Sequence, residues 1–484
     1  MQIKTDQFVE AAKEALTDQY TRGFLDGMYI KVKERLKSMQ TFPDPAAARK
    51  LGAAIRAESV ARLPELLEEF EDKATANGAT IVWARDADEA NKFITELAMD
   101  KGIPYVTKGK SMVSEEIALN DALIKKGIDV FETDLGEFII QQLNRTPFHI
   151  VGPAINIPVE EIRDIFLKNK IIQTPTLDPV ALGYGARLFL RHKFQQLEMG
   201  ITGVNFAVAE TGTIINIENE GNIRFNKSSP RVQVSIMSLE KVVPTMEDAI
   251  HLLRLLCRSC TGQKLGAYVT MDSGPKADDE IDGPEELYIV IVDNGRSDFY
   301  ADQKAREVLR CIRCGACLGS CPVYTKVGGY PYGWAYSGPI GQLLNPLLLG
   351  FDKTGDLYRA STLCGSCKNV CPVGIDHPDL FLYFRSLDAA KNSQFKAGVR
   401  PRTELAFYAI WSWITNRAWC WNLTLKLSRP LINRCTQNSL TARWIGPVNQ
   451  WLTARDFPRL PKKTFRQYAK AELKSSLKIS KHKR

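Results

Sequence analysis

The 484-residue chain lacks a long apolar run. No stretch reaches the roughly 18–20 apolar residues that a spanning helix needs. The longest candidate, AFYAIWSWI at 406–414, stops at Thr415-Asn416-Arg417. The opening MQIKTDQFVEAAKEAL has no apolar h-region, so no secretory signal is read there. The expectation is a cytoplasmic protein, whose eleven cysteines are thiols or metal ligands rather than disulfides. No G-x-G-x-x-G follows the first predicted strand and there is no P-loop, so neither common phosphate cradle is supported. Positive charge is also missing from most of the chain. The net charge is +9, but from Arg455 onward eleven Lys/Arg stand against two acidic residues, 11 − 2 = +9, and the rest is neutral. The basic character therefore belongs to a tail, and a nucleic-acid-binding domain is not indicated.

This length predicts two or three domains. Residues 1–75 read as a helical segment, with periodic runs such as YIKVKERLKSMQ and VARLPELLEEFEDKA. Residues 76–300 alternate short apolar runs with helical patterns. ATIVWA, FHIVGPAI, NFAVAE, GTIINIE, VQVSI and LYIVIVD read as strands, and ADEANKFITELAMDKG and MEDAIHLLRLLCRSC as helices between them. That alternation predicts an α/β domain with a largely parallel sheet. Residues 301–390 bear most of the cysteines. Residues 391–484 read as a helical, Trp-rich segment with a basic tail whose end, LKSSLKISKHKR, is expected to be disordered.

Cys311, Cys314, Cys317 and Cys321 follow C-x2-C-x2-C-x3-C-P, the bacterial-ferredoxin run for a [4Fe-4S] cluster. Three thiolates at that spacing wrap one cluster, and the fourth, past a turn, ligates the other. Pro322 turns the chain away, and Gly315 leaves room beside the sulfides. The second group, Cys364-x2-Cys367-x3-Cys371-Pro372, is one cysteine short. With the two Cys-Pro steps aligned, Ser361 stands where the first group has Cys311. Crossing over the last cysteines gives cluster 1 Cys311, Cys314, Cys317 and Cys371. Cluster 2 receives Cys321, Cys364 and Cys367. Its open corner suits Ser361, water, substrate or a partner's residue, and a [3Fe-4S] cluster needs only three thiolates. A pair of zinc sites is the competing reading, but zinc does not require this run. The spacer GGYPYGWAYSGPIGQLLNPLLLG reads either as irregular cover for the clusters or as a packed connector.

Other candidates are weaker. Cys257-x2-Cys260, at the end of an apolar helix, reads as ordinary thiols or as a redox dithiol, and Cys420 and Cys435 read as packing. The Thr211-Gly212-Thr213 turn and Lys108/Lys110, ahead of a helix capped by Ser111 or Ser114, offer anion-holding donors. The five histidines show no metal spacing. His149 and His192 are testable proton acceptors, and His251 opens a helix.

Together KSMVSEEI, GYGARLFLRHKF, AETGTI, IVDNGRS, CIRCGACLGSCPVY and LCGSCKNVCPVG closely resemble the lactate utilization protein B family over nearly the whole chain. The resemblance implies a NagB/RpiA-like α/β domain, an α-helical two-cluster ferredoxin domain and a helical C-terminal segment. It carries both iron–sulfur clusters onto the seven cysteines above, with cluster 1 as [4Fe-4S] and cluster 2 as [4Fe-4S] or [3Fe-4S]. It implies an electron-transfer subunit of a complex that oxidises L-lactate to pyruvate with companion proteins A and C and an unidentified electron acceptor. It identifies no catalytic residue, and the α/β domain either binds substrate or docks a companion. Alternatives are a subunit acting on glycolate or another 2-hydroxy acid, and a redox-sensing ligand-binding protein. The Trp-rich segment reads as a surface for a partner subunit, as a peripheral contact on the inner face of the membrane, or as simple packing.

Overall fold

Short acidic signals set the helix starts in this chain. Asp44, Asp86, Asp134 and Asp178 each accept backbone N–H groups two and three residues on, and proline follows Asp44 and Asp178 at the first helical position. The computed structural model describes residues 3–398, 402–437 and 460–481. It divides into two units, 1–399 and 400–484.

In the first unit, helices α1 (Phe8–Ala15), α2 (Gln19–Met39), α3 (Pro45–Ala61) and α4 (Leu63–Ala76) come first. Then follow β1 (Thr80–Ala84), α5 (Ala87–Asp100), β2 (Tyr105–Lys108), α6 (Met112–Glu116), α7 (Leu119–Lys125), β3 (Asp129–Glu132), α8 (Leu135–Gln142), α9 (Val159–Lys168) and α10 (Pro179–Gln195). Next are β4 (Met199–Gly203), β5 (Phe206–Val208), β6 (Thr213–Glu218), α11 (Asn222–Ser228), β7 (Val232–Ser238), β8 (Val242–Val243), α12 (Met246–Cys260), β9 (Tyr268–Asp272) and β10 (Glu286–Val292).

Six strands form one wholly parallel sheet in the order β1-β10-β7-β4-β2-β3. Its inner strands β7 and β4 are buried on both faces, as parallel strands between helix layers are, whereas the edge strand β1 exposes Thr80 and Trp83. Along β10, Leu287, Ile289 and Ile291 join a core with Leu66 and Phe70 of α4 and Leu252 of α12. The alternate residues Val290 and Val292 join Ile94 of α5 and Leu123 of α7 on the other face. The chain leaves β2 toward β3 but leaves β4 toward β7. The winding therefore reverses between the adjacent strands β2 and β4, and a crevice opens beyond their carboxyl ends.

A second sheet, β8-β5-β6-β9, mixes one parallel and two antiparallel pairings, beside the largely parallel sheet that the sequence suggested. FHIVGPAI is not a strand. The Phe148 N–H bonds to the Pro153 carbonyl, and the N–H groups of Val151 and Gly152 turn onto His149 Nδ1, so no edge is left to pair.

Residues 296–398 are helical, with α13 (Arg296–Tyr300), α14 (Ala316–Gly319), α15 (Tyr324–Val327), α16 (Gly338–Leu349), α17 (Ser366–Val370) and α18 (His377–Ala390). The spacer between the cysteine groups is packed: Tyr332, Tyr336, Leu343 and Leu344 are buried. The first helices wrap this region. Phe8 meets the Tyr332 ring edge-on at 5.3 Å, Thr5 Oγ1 donates to the Lys353 carbonyl at 2.6 Å, and Arg49 donates to the Cys371 carbonyl at 2.9 Å.

In the second unit are α19 (Arg402–Thr415), α20 (Ala418–Gln437) and α21 (Phe465–Lys481). Cys420 is buried, whereas Phe407, Ile410, Trp413, Trp419 and Leu427 are exposed. Among the described residues no helix is long and apolar enough to cross a membrane. The tail expected to be disordered is helical as far as Lys481. Residues 482–484, Trp444, Trp451 and the Cys435 side chain lie outside the described residues.

A buried ion network fastens the α/β layers to the cysteine-bearing helices. Arg296 grips Glu116 with two nitrogens, at 2.8 and 2.7 Å, and donates to Glu240 at 2.9 Å. Arg313, inside the first cysteine group, pairs with the other Glu240 oxygen at 2.7 Å, and Tyr336 donates to Glu116 at 2.6 Å. Arg56 of α3 binds the carbonyls of Glu240, Val242, Leu309 and Arg310. Burial alone would raise the Glu240 pKa, but Arg296 and Arg313 outweigh it and hold the carboxyl at about 2. A depressed carboxylate stabilises the fold above its unfolded pKa near 4.5, and this contribution is lost as pH falls toward 2. Replacing one member strands buried charge, at a cost of roughly 3–5 kcal/mol. Glu240→Gln is therefore expected to lower the unfolding free energy read from urea melts at pH 7 by that amount, and the midpoint with it. The deficit should shrink as pH approaches 3, and a wild-type midpoint at pH 7 would contradict the assignment.

Candidate metal centre and the adjoining cavity

The two cysteine loops repeat one backbone shape. In the first, Arg313 and Gly315 have φ of 59° and 70°; in the second, Leu363 and Gly365 have φ of 54° and 80°. Glycine takes this left-handed conformation freely, whereas Arg313 and Leu363 are held in it against side-chain strain. The equivalence extends to hydrogen bonds. The Arg313 N–H donates to Cys311 Sγ at 3.4 Å, and the Leu363 N–H donates to Ser361 Oγ at 3.2 Å. Ser361 thus occupies the place of Cys311 in the second loop.

The crossing of the chain brings the thiols into two sets. Cys311, Cys314, Cys317 and Cys371 line one pocket, together with His377 at the start of α18. Cys321, Cys364 and Cys367 line another, and Ser361 is in its wall. Ile375 N–H points at Cys371 Sγ from 3.3 Å, and the N–H groups of Val323 and Tyr324 face Cys321. Burial pushes the Cys371 thiol up to about 11 and that of Cys367 to about 12, and it also raises Cys314, Cys317 and Cys321. Cys364 differs: it is exposed, and hydrogen bonds from the Ser366 backbone and Thr362 lower its pKa. Without metal, the buried thiols keep their protons, and iron must displace them. Soft sulfur donors, inward N–H groups and an apolar surround fit an iron–sulfur group. Among the described residues no three His, Cys, Asp or Glu side chains close on a single ion.

Beside the first pocket lies a larger cavity of about 310 Å³. Lys110 and Ser111, beyond β2, and Gly203, Val204 and Asn205, at and beyond the end of β4, line it. So do Ser238, at the end of β7, and Asp134, beyond β3. The cavity therefore opens at the carboxyl edge of the parallel sheet, where its winding reverses. Arg313 lines both the cavity and the first thiol pocket. Tyr336, Cys257, Cys260 and Lys241 complete that side. Burial and the nearby Arg313 push the Lys241 pKa down to about 8.

The other residues singled out in the sequence are distributed as follows. Lys108 is spent on Glu115 and Glu132, at 2.7 and 2.9 Å, and also on Ser114; it holds no open anion site. Ser111 is the cap of α6. Thr211 donates to Thr213, whose hydroxyl also bonds that of Ser273, and Gly212 packs on the backbone of Lys73 and Ala74, so that turn is structural. His149 is buried with its Nδ1 occupied, and burial beside Arg35 and Lys110 lowers its pKa to about 3. His192 is exposed in the last turn of α10. His251 does not open its helix; it lies a turn inside α12 and bonds to the Ala48 carbonyl. Burial raises the pKa of both Cys257, to about 11, and Cys260. Sequence reasoning missed His377, Lys241, Asn216 and Ser238, because nothing local marks them. Arg313 alone carried a signal, through its place inside the C-x2-C.

A family model described as LUD domain matches residues 67–292, and one described as 4Fe-4S dicluster domain matches residues 307–375. A protein from Bacillus cytotoxicus named lactate utilization protein B is 39% identical over 475 residues, covering 98% of this chain and 99% of that protein. A namesake from Bacillus thuringiensis is 38% identical over 471 residues, covering 97% and 98%. The crystal structure of a DUF162 family protein from Deinococcus radiodurans matches at 15% identity with a TM-score of 0.28, over 48% of this chain and 98% of that one.

The contrast among thiols is directly measurable. In metal-free folded protein, iodoacetamide should modify Cys364 at least roughly ten-fold faster than Cys314 or Cys317, because attack requires an accessible thiolate. Peptide mass spectrometry over a time course reads the order, and equal rates at all three would refute the burial difference.

Proposed function

Because the chain belongs to the lactate utilization protein B family, we propose that it is the iron–sulfur electron-transfer subunit of a complex that oxidises L-lactate to pyruvate. The observation that carries this reading is the sorting of seven cysteines into two pockets, four thiols in one and three with Ser361 in the other. Cys311, Cys314, Cys317 and Cys371 would hold cluster 1, a [4Fe-4S] cluster. Cys321, Cys364 and Cys367 would hold cluster 2, with Ser361 Oγ at the corner that Cys311 fills in the first loop, which favours [4Fe-4S] there too. Clusters so held supply one-electron steps, which suits splitting the electron pair released when a hydroxyl carbon becomes a carbonyl.

The residues around the pockets define what each can do. Backbone N–H groups aimed at sulfur and the neighbouring Arg313 favour the reduced, more negative state of the first centre, whereas the burial of its thiols opposes added negative charge. Exposed Cys364 gives the second centre the shorter route to an acceptor outside the chain. Companion proteins A and C complete the complex, and the acceptor of its electrons is a further partner. The exposed aromatic face of α19 and α20 suits a companion subunit, with contact to the inner face of the membrane as the alternative. The protein works in the cytoplasm, and its sheet is kin to the NagB/RpiA type.

Anaerobically isolated complex should show reduced-cluster EPR signals on adding L-lactate, and Cys314→Ser or Cys367→Ser should abolish them. Full lactate-driven reduction in both variants would sink the electron-transfer role. Ser361→Cys should keep the iron content and change the EPR line shape of one cluster only. An unchanged spectrum would remove Ser361 from the ligand set.

A further inference from the structure

The cavity beside the first thiol pocket has a chemical character that electron transfer alone does not require. At 310 Å³ it is at the small end of the roughly 300–1,000 Å³ typical of small-molecule sites. It lies at the carboxyl ends of β2, β4 and β7, where the sheet's winding reverses.

Its charged groups are unevenly satisfied. The carboxylates on its walls are already bonded to backbone. Asp134 caps α8, Glu218 accepts from the N–H groups of Ile223 and Arg224, and Glu220 accepts from that of Leu135. Lys110 donates to the Val151 carbonyl at 2.8 Å. Lys241 is the exception: its ammonium lines the cavity with no hydrogen-bond or ion-pair partner among the described residues. It shares that wall with Arg313, whose bonds to Glu240 and to the Cys311 carbonyl leave guanidinium donors to spare. Two adjacent cations thus share the single carboxylate of Glu240, which bonds Arg313 and not Lys241.

Neutral groups point the same way. Asn216 is 2% exposed; its amide nitrogen donates to the Gly203 carbonyl at 2.7 Å, but its Oδ1 is buried and unpartnered among the described residues. Ser238, 1% exposed, has an Oγ unpartnered among the described residues. Both residues line the cavity. A buried acceptor left without a donor is costly, so these atoms are matched to a polar ligand or to water. An acceptor for a hydroxyl hydrogen together with cations for a carboxylate is the complement of a hydroxy acid. Arg313 then separates the bound acid from the thiols of the first pocket.

Resting on the lactate reading above, we propose that this cavity binds a small 2-hydroxycarboxylate, its carboxylate on Lys241 and Arg313 and its hydroxyl on Asn216. Ser238 supplies a second hydrogen bond to the same ligand. The α/β layers are thereby the substrate chamber of this subunit, and not only a surface for its companions.

The test is equilibrium dialysis of the full-length, cluster-loaded chain, kept reduced with dithionite so that no turnover occurs. The probes are labelled L-lactate and labelled propionate, which has the carboxylate but no hydroxyl. Wild type should bind lactate more tightly than propionate. Lys241→Met should weaken both by roughly 10–100-fold, the loss expected for a charge-assisted hydrogen bond, and Lys241→Arg should restore part of the affinity. Asn216→Ala should erase the preference for lactate. Failure of wild type to bind either acid overturns the proposal, as does wild-type affinity in Lys241→Met with its cluster absorbance intact. Should Lys241→Met lose that absorbance, Asn216→Ala decides alone, and an unchanged lactate preference there overturns the proposal. If lactate binds through Lys241 but leaves the clusters of the assembled complex oxidised, the lactate-oxidation reading falls and the site stands.

Discussion

One buried carboxylate ties the first unit together. Glu240 follows the central strand β7, and its two oxygens are divided between Arg296 and Arg313. Arg296 begins the helical region and also holds Glu116 at the end of α6. Arg313 stands between the first two cysteines. The loop carrying the first two cysteines, the end of β7 and the start of the helical region are therefore referred to a single anion. Such a group costs much to desolvate, and a well-packed apolar replacement often matches it in stability. What it provides is register. A guanidinium that must meet Glu240 fixes where the cysteine loop sits against the sheet, to within hydrogen-bond tolerance.

That register gives the two thiol pockets unequal surroundings despite their shared loop shape. The first backs onto the α/β layers and is roofed by buried residues such as Ile340 and Ile375. The second ends at Cys364, which faces solvent. Cavity, buried pocket and surface pocket thus follow in sequence: Arg313 joins the first two, and the Cys317–Cys321 segment joins the last two.

Much of this was legible in the chain itself because the signals are local. The cysteine spacing, the Cys-Pro steps and the position of Ser361 specify the loops within a few residues of each sulfur. Of the six strands in the parallel sheet, β2, β3 and β4, only four or five residues long and carrying Thr, Lys, Asp, Glu or Gly, did not announce themselves, whereas β1, β7 and β10 did, as apolar runs. FHIVGPAI has the same composition but failed as a strand, because its N–H groups are consumed by Pro153 and His149. Nothing in sequence distance reveals a pairing such as Arg296 with Glu116, 180 positions apart. The cavity was equally hidden. Lys241, Asn216 and Ser238 are ordinary residues on separate strands and turns, and they acquire meaning only where the sheet's winding brings them together. Lys108 shows the converse: a lysine before a capped helix looked available until buried Glu132 and half-buried Glu115 claimed it.

The bond from Thr5 to the Lys353 carbonyl spans 348 positions. At roughly 5–20 residues per second on the ribosome, the first helices wait on the order of 20–70 s for the segment they are built to cover. During that interval Phe8 and its neighbours have no Tyr332 to pack on, and Arg49 has no Cys371 carbonyl to bind. The first pocket cannot close either, since its fourth thiol is among the last parts of the unit to be made. Metal insertion is thereby placed after synthesis of nearly the whole unit. A nascent chain that stalls within the spacer would present a finished sheet, idle helices and three of four thiols: a state for chaperones to hold, not one that iron can complete.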